Sequence, residues 1–157
     1  MWLLLLWALA CAYQDLRQRH IDNRLLYPFL LLAVIWLLVT SQSLVGASLA
    51  SALAGAGIAI ALTIPGHIKG ILGGGDVKLM VAIGLSTGGM ITLIVIAIAA
   101  LLLVLWTITV ALLPSRGVAM VQRYAPGLGN QKGHFAYAPF IFLALGTLYL
   151  LALLLNR

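Results

Sequence analysis

Three acids are all that a chain of 157 residues carries: Asp15, Asp22 and Asp76. Two of them, Asp15 in YQDLRQRHIDNRL and Asp76 in GILGGGDVKLM, stand where a long apolar run meets a short polar one. An ionisable group at the edge of lipid is expensive to keep, so its default reading is functional. Two carboxylates brought together cannot both ionise easily and come to share a proton. One then accepts a proton from a water while the other donates to a peptide carbonyl. The structural alternative is a cap. Asp76 follows Gly73, Gly74 and Gly75, and at a helix start its carboxylate accepts from free N–H groups in the favourable field of the helix dipole. The glycines supply backbone freedom for an irregular segment, which is tolerated at membrane depth where protein or water covers it. This is not a phosphate-binding loop, since the Gly-Lys-Ser/Thr ending is missing. Spacing puts Asp15 and Asp76 in one layer and leaves open whether they meet.

The elements that must hold them are membrane helices. Hydrophobic residues make up 64% of the chain and charged residues 8%, with a mean hydropathy of +1.16. A soluble domain carries about 25% charged residues, so this chain cannot clothe a water-facing surface. The apolar runs are too long, and too little alternating, for a membrane barrel. Six segments are expected: Trp2 to Gln14, Leu25 to Val39, Leu44 to Ile64, Val77 to Thr87, Met90 to Leu113 and Phe135 to Leu155. The expected fold is therefore all-α: a polytopic membrane bundle of about six transmembrane segments, forming one domain over residues 1–157. The first and fourth segments are short against a hydrocarbon core of roughly 30 Å. They must end inside the bundle or thin the bilayer around them. Asp15 follows the first and Asp76 precedes the fourth.

Charge orients the bundle. Alternate threading puts Arg17, Arg19, Arg24, Lys69, Lys78, Arg116, Arg123 and Lys132 on one side and Arg157 alone on the other. The positive-inside rule makes the crowded side cytoplasmic and leaves the N-terminus outside. The ALAC stretch, Ala8 to Cys11, imitates a signal-peptide cleavage site, but the positive charges follow the apolar run instead of preceding it. A retained helix is expected. The net charge of +6 is explained by lipid headgroups and orientation, so no nucleic-acid partner is expected. Cys11 is alone and offers no disulfide framework. Ala47, Ser51, Gly55 and Ala59 recur every four positions and are read as a packing stripe. Trp2, Trp7, Trp36 and Trp106 are read mostly as lipid or interface anchors.

GGGDVKLM resembles the G-x-G-D motif of the type IV prepilin peptidases, a family of intramembrane aspartyl proteases whose motif continues with a Val-Lys-Leu run, here Val77, Lys78 and Leu79. DLRQRHIDN resembles the family's other aspartate region, in which an acid ending the first helix precedes a basic stretch closed by Ile-Pro-Asn; Asp22 stands here in place of the proline. FAYAPF, Phe135 to Phe140, resembles the Pro-Tyr-Ala-Pro-Phe entry to the family's last helix. The resemblance implies an aspartic endopeptidase of the bacterial cytoplasmic membrane that removes the short leader from prepilin or pseudopilin substrates at the cytoplasmic face. Asp15 and Asp76 would be catalytic and Gly73 and Gly75 would support the motif backbone. Lys78 would serve local structure or substrate positioning, and Asn23 and Pro139 the substrate site or its structure. No metal and no cofactor is implied. The size is similar to the compact, peptidase-only type of Flp or tight-adherence pilus systems, without methyltransferase activity.

The remaining polar residues have plainer expectations. Asp22 offers an alternative partner for Asp76, but the spacing from the helix end and from Ile21 favours Asp15; Asp22 is expected to pair with Arg19 or Arg24 or to cap the second helix. Lys78 lies two positions past Asp76, points away from it along the helix, and snorkels to the interface. His20, His67 and His134 lack ligand spacing. Two other function classes remain: a small ion-coupled transporter or channel subunit, and a non-enzymatic pilus-assembly subunit.

Overall fold

The computed structural model describes residues 2–18, 20–70, 72–124, 128 and 136–155. They form seven helices: α1 Trp2–Gln18, α2 Asn23–Thr40, α3 Leu49–Ile68, α4 Gly74–Thr87, α5 Gly89–Leu112, α6 Ser115–Tyr124 and α7 Ala138–Leu155. Among the described residues no strand forms; a single antiparallel bridge joins Gln42 and Ser48. Neighbouring helices close a ring in the order α1, α2, α4, α3, α5, α7, with α4 also touching α5.

Lipid gives helices no hydrophobic reason to associate, so close packing must do it. The α3–α4 seam shows how. A Cβ on Gly55 would lie 2.6 Å from the Gly84 carbonyl oxygen, and one on Gly84 would lie 2.5 Å from the Gly55 carbonyl carbon and oxygen. Backbone meets backbone there, and only glycine on both sides permits it. One turn on, Ser51 Oγ accepts from the Gly89 N–H at 3.2 Å, and a Cβ on Gly88 (φ +88°) would meet Ser51 Oγ at 2.7 Å and Ala47 Cβ at 2.9 Å. The small-residue stripe of α3 is thus the packing face its period predicts.

Four helices, α2, α3, α5 and α7, are long and apolar enough to cross a membrane. This is a multi-pass membrane protein. The two other apolar helices are shorter, α1 with 17 residues and α4 with 14. Every residue of α4 from Ala82 to Thr87 is buried. A helix encased by α2, α3 and α5 has its length set by its neighbours and not by lipid.

Several boundaries differ from expectation for local reasons. The third helix starts at Leu49, because Ser43 Oγ accepts from the N–H groups of Val45 and Ala47, Gly46 takes φ +86°, and Ser48 caps the helix by accepting from Ser51 N–H at 3.3 Å. Residues 44–48 are spent on that turn. Helix α6 was expected to be loop; Pro114 accepts from Val118 N–H at 3.1 Å in its first turn. Trp7 is not an interface anchor. It is buried, stacks on Phe29 with ring centroids 3.9 Å apart, and donates from Nε1 to the Leu25 carbonyl at 2.9 Å, riveting α1 to α2. Trp2 and Trp36 are exposed, as anchors should be. Phe135, His134, Lys132, Arg19 and Arg157 lie outside the described residues.

Candidate active site

Asp15 belongs to the buried face of α1, which runs Leu4, Trp7, Ala8, Cys11, Ala12, Asp15. That spacing of three and four places one side of a helix against the core. The helix continues past Asp15 to Gln18, so the acid lies within its last turns and not beyond its end. Only 4% of Asp15 is exposed. Its Oδ2 accepts from the Ala138 N–H at 3.1 Å, at the first residue of α7. The next residue, Pro139, brings no N–H that needs a partner. One carboxylate therefore serves an orphan donor of α7 and sits in the positive field of that helix end.

Asp76 occupies the third position of α4 and is 8% exposed. Its Oδ2 reaches back to accept from Gly73 N–H at 3.2 Å. This is the half of a capping box that a glycine at the cap allows. Its Oδ1 is buried and has no hydrogen-bond partner among the described residues. Native folds rarely leave such an atom unmatched unless it has work to do.

The glycine run acts through space and not through unusual torsions. Gly73 has φ −71°, and the positive φ of this region falls at Gly70, φ +70°. A Cβ on Gly73 would lie 3.2 Å from Asp76 Oδ2, and a Cβ on Gly75 would lie 3.3 Å from Ile21 Cβ. The first clears room for the carboxylate. The second lets the segment between α1 and α2 close over the start of α4.

These residues enclose a cavity of about 200 Å³ lined by Asp15, His20, Ile21, Asn23, Gly73, Gly74, Gly75, Asp76 and Lys78. The two acids singled out in the sequence, with Gly73, Gly75, Asn23 and Lys78, thus share one pocket; Pro139 stands behind it, beside the N–H that holds Asp15. Lys78 is half-buried, with its head group among exposed partners. Its Nζ donates to Asn23 Oδ1 at 2.8 Å and Tyr27 Oη at 3.1 Å and lies 4.8 Å from the Tyr27 ring centroid, tying α4 to α2. Asp22 is outside the pocket. It caps α2, its Oδ1 accepting from Arg24 N–H at 3.0 Å, while its own N–H donates to Gln14 Oε1 at 2.9 Å. His67 contacts the Leu72 carbonyl through Nδ1 at 3.0 Å.

Electrostatics follow from the enclosure. Two carboxylates on one small pocket hold one proton between them far more readily than none. Sequence reasoning missed Ile21 as the lid over Gly75, and Tyr137, a buried residue just before α7 whose phenol is pushed up to about 12 by burial and by the charge of Asp76. The signal for both was their place inside the quoted stretches, Ile21 in DLRQRHIDN and Tyr137 in FAYAPF.

No curated protein and no solved structure matches the chain. A family does. The model of the type IV leader peptidase family matches residues 2–108, a stretch that includes both pocket carboxylates and the glycine run and stops short of Pro139. With well over half of its length so matched, this multi-pass membrane protein belongs to the type IV leader peptidase family, a family of hydrolases that cut peptide bonds.

Proposed function

We propose that the protein is a membrane-embedded aspartic endopeptidase that removes the short leader from prepilin-like substrates, with Asp15 and Asp76 as the catalytic pair. The observation that carries this reading is the pairing of two buried carboxylates on one cavity, one of them with an oxygen that no described residue engages. In the mechanism the ionised member takes a proton from the attacking water. The protonated member gives its proton to the carbonyl oxygen. The member that took the proton from water then passes it to the leaving amine, while its partner recovers a proton from the gem-diol, which restores the starting state. The Ala138 N–H on Asp15 and the Gly73 N–H on Asp76 fix both carboxylates before substrate arrives, which spares reorganisation during the reaction.

The reading extends to topology. Helices α1 and α4 cross together with the four longer spans, at about 25 Å and about 21 Å by the rise of an α-helix. Arg17, Arg24, Lys69 and Lys78 flank the pocket end of the bundle, which the positive-inside rule sets on the cytoplasmic side of a bacterial inner membrane. A leader left in the cytoplasm and an apolar segment left in the membrane meet at that level.

The test is co-expression with a prepilin, reading leader removal by gel shift and N-terminal mass, for wild type, Asp15→Asn, Asp22→Asn and Asp76→Asn at matched membrane levels. Cleavage is expected to vanish in the first and third variants and to persist in Asp22→Asn. Cleavage that survives in both Asp15→Asn and Asp76→Asn sinks the mechanism.

A further inference from the structure

A larger cavity, about 740 Å³, opens on the other side of the α1–α2 junction and shares no lining residue with the catalytic pocket. Two guanidinium groups border it, Arg17 from the last turn of α1 and Arg24 from the first turn of α2. Arg17 is held over the Tyr13 ring, 5.5 Å from its centroid, and neither arginine has an ion-pair partner among the described residues. The one carboxylate on the wall, Asp22, already has Oδ1 occupied by the Arg24 N–H.

The wall is also graded in polarity. Ala10, Tyr13, Gln14 and Arg17 follow the i, i+3, i+4, i+7 spacing of a single helix face. Below Ala10 that face continues through Leu6 and Leu3, which are 63% and 56% exposed. A ligand that fits must carry an anion at one end and hydrocarbon at the other. We propose that this groove binds one anionic phospholipid, its phosphate between Arg17 and Arg24 and an acyl chain lying along the Ala10 side of α1. The proposal does not depend on the peptidase reading. It assigns to one place the headgroup attraction that net charge alone spreads over the whole basic face.

The experiment is native mass spectrometry of the full chain in detergent, titrated with phosphatidylglycerol and phosphatidylcholine of identical acyl chains. A basic residue near an anionic headgroup is worth roughly fivefold in affinity, so two give a preference of about 25-fold for phosphatidylglycerol. Replacing both arginines by glutamine (Arg17→Gln with Arg24→Gln) should bring the two lipids level. The corresponding lysine pair should keep most of the preference, which separates lost charge from lost fold. Arg123→Gln on α6 should leave it unchanged. Equal binding of the two lipids to wild type overturns the proposal. So does an Arg123→Gln effect as large as that of the glutamine pair, which means diffuse charge. Full displacement of lipid by an equal concentration of inorganic phosphate overturns it too, since the groove then reads phosphate alone.

Discussion

Replacing Gly84 by alanine puts one methyl group into the α3–α4 seam. The new Cβ would stand 2.5 Å from the Gly55 carbonyl carbon and oxygen and 2.7 Å from the Ala56 nitrogen, where ordinary contact begins at 3.4 Å. All three atoms are backbone, so no side chain can swing aside and the two helices must part by about 1 Å. Overpacking of this kind costs about 1–3 kcal/mol, and a clash with backbone belongs at the upper end. Alanine's better helix propensity returns about 1 kcal/mol, leaving a net loss of about 2 kcal/mol. Gly57 supplies the control, since it lies on the exposed side of α3 and a Cβ there meets nothing within 4 Å. Gly57→Ala should gain up to about 1 kcal/mol by propensity alone. The assay is reversible unfolding in mixed micelles by titration with sodium dodecyl sulfate, followed by circular dichroism. Asp76 rides on α4, so a shift of this size should also lower leader cleavage by about 100-fold at a temperature where the variant stays folded. A Gly84→Ala protein as stable and as active as wild type would refute the argument from close approach, and a destabilised Gly57→Ala would refute its use of the propensity scale.

Because Asp15 and Asp76 share one pocket, the proposed dyad works with a single proton between them, and kcat/KM should fall on both sides of one pH optimum; a profile with no alkaline limb would contradict this. Trp7→Phe keeps most of the stacking on Phe29 but deletes the bond to the Leu25 carbonyl, and should lower stability by about 1 kcal/mol in the same detergent titration.

Much of the fold was legible because lipid leaves few options. Apolar length alone located the helices, and the four-residue stripe of α3 announced its packing face. The site was legible to the extent that Asp15 and Asp76 were placed in one layer; that they share a pocket depends on Gly75 admitting Ile21, which no local pattern reveals. The glycines were expected to allow an irregular, closely approached segment; the close approach is seen at Gly73 against Asp76 and Gly75 against Ile21, while the torsion of Gly73 is an ordinary one, and a sequence displays a missing Cβ without saying which of the two requires it. Lys78 was expected to reach the interface or to serve local structure; its partners were not legible, because Asn23 and Tyr27 come from α2. Helix α6 escaped because the charges and Gly117 in SRGVAMVQRY masked the spacing of Val118 and Val121.

The bond from Ala138 to Asp15 joins residues 123 positions apart. Every residue that lines the pocket lies no later than Lys78, so all its walls are made well before α7. Until α7 docks, Asp15 lacks this N–H donor and the ring of helices is open between α1 and α5. The first half of the chain shapes the cavity, and the last helix fixes how one carboxylate is turned within it.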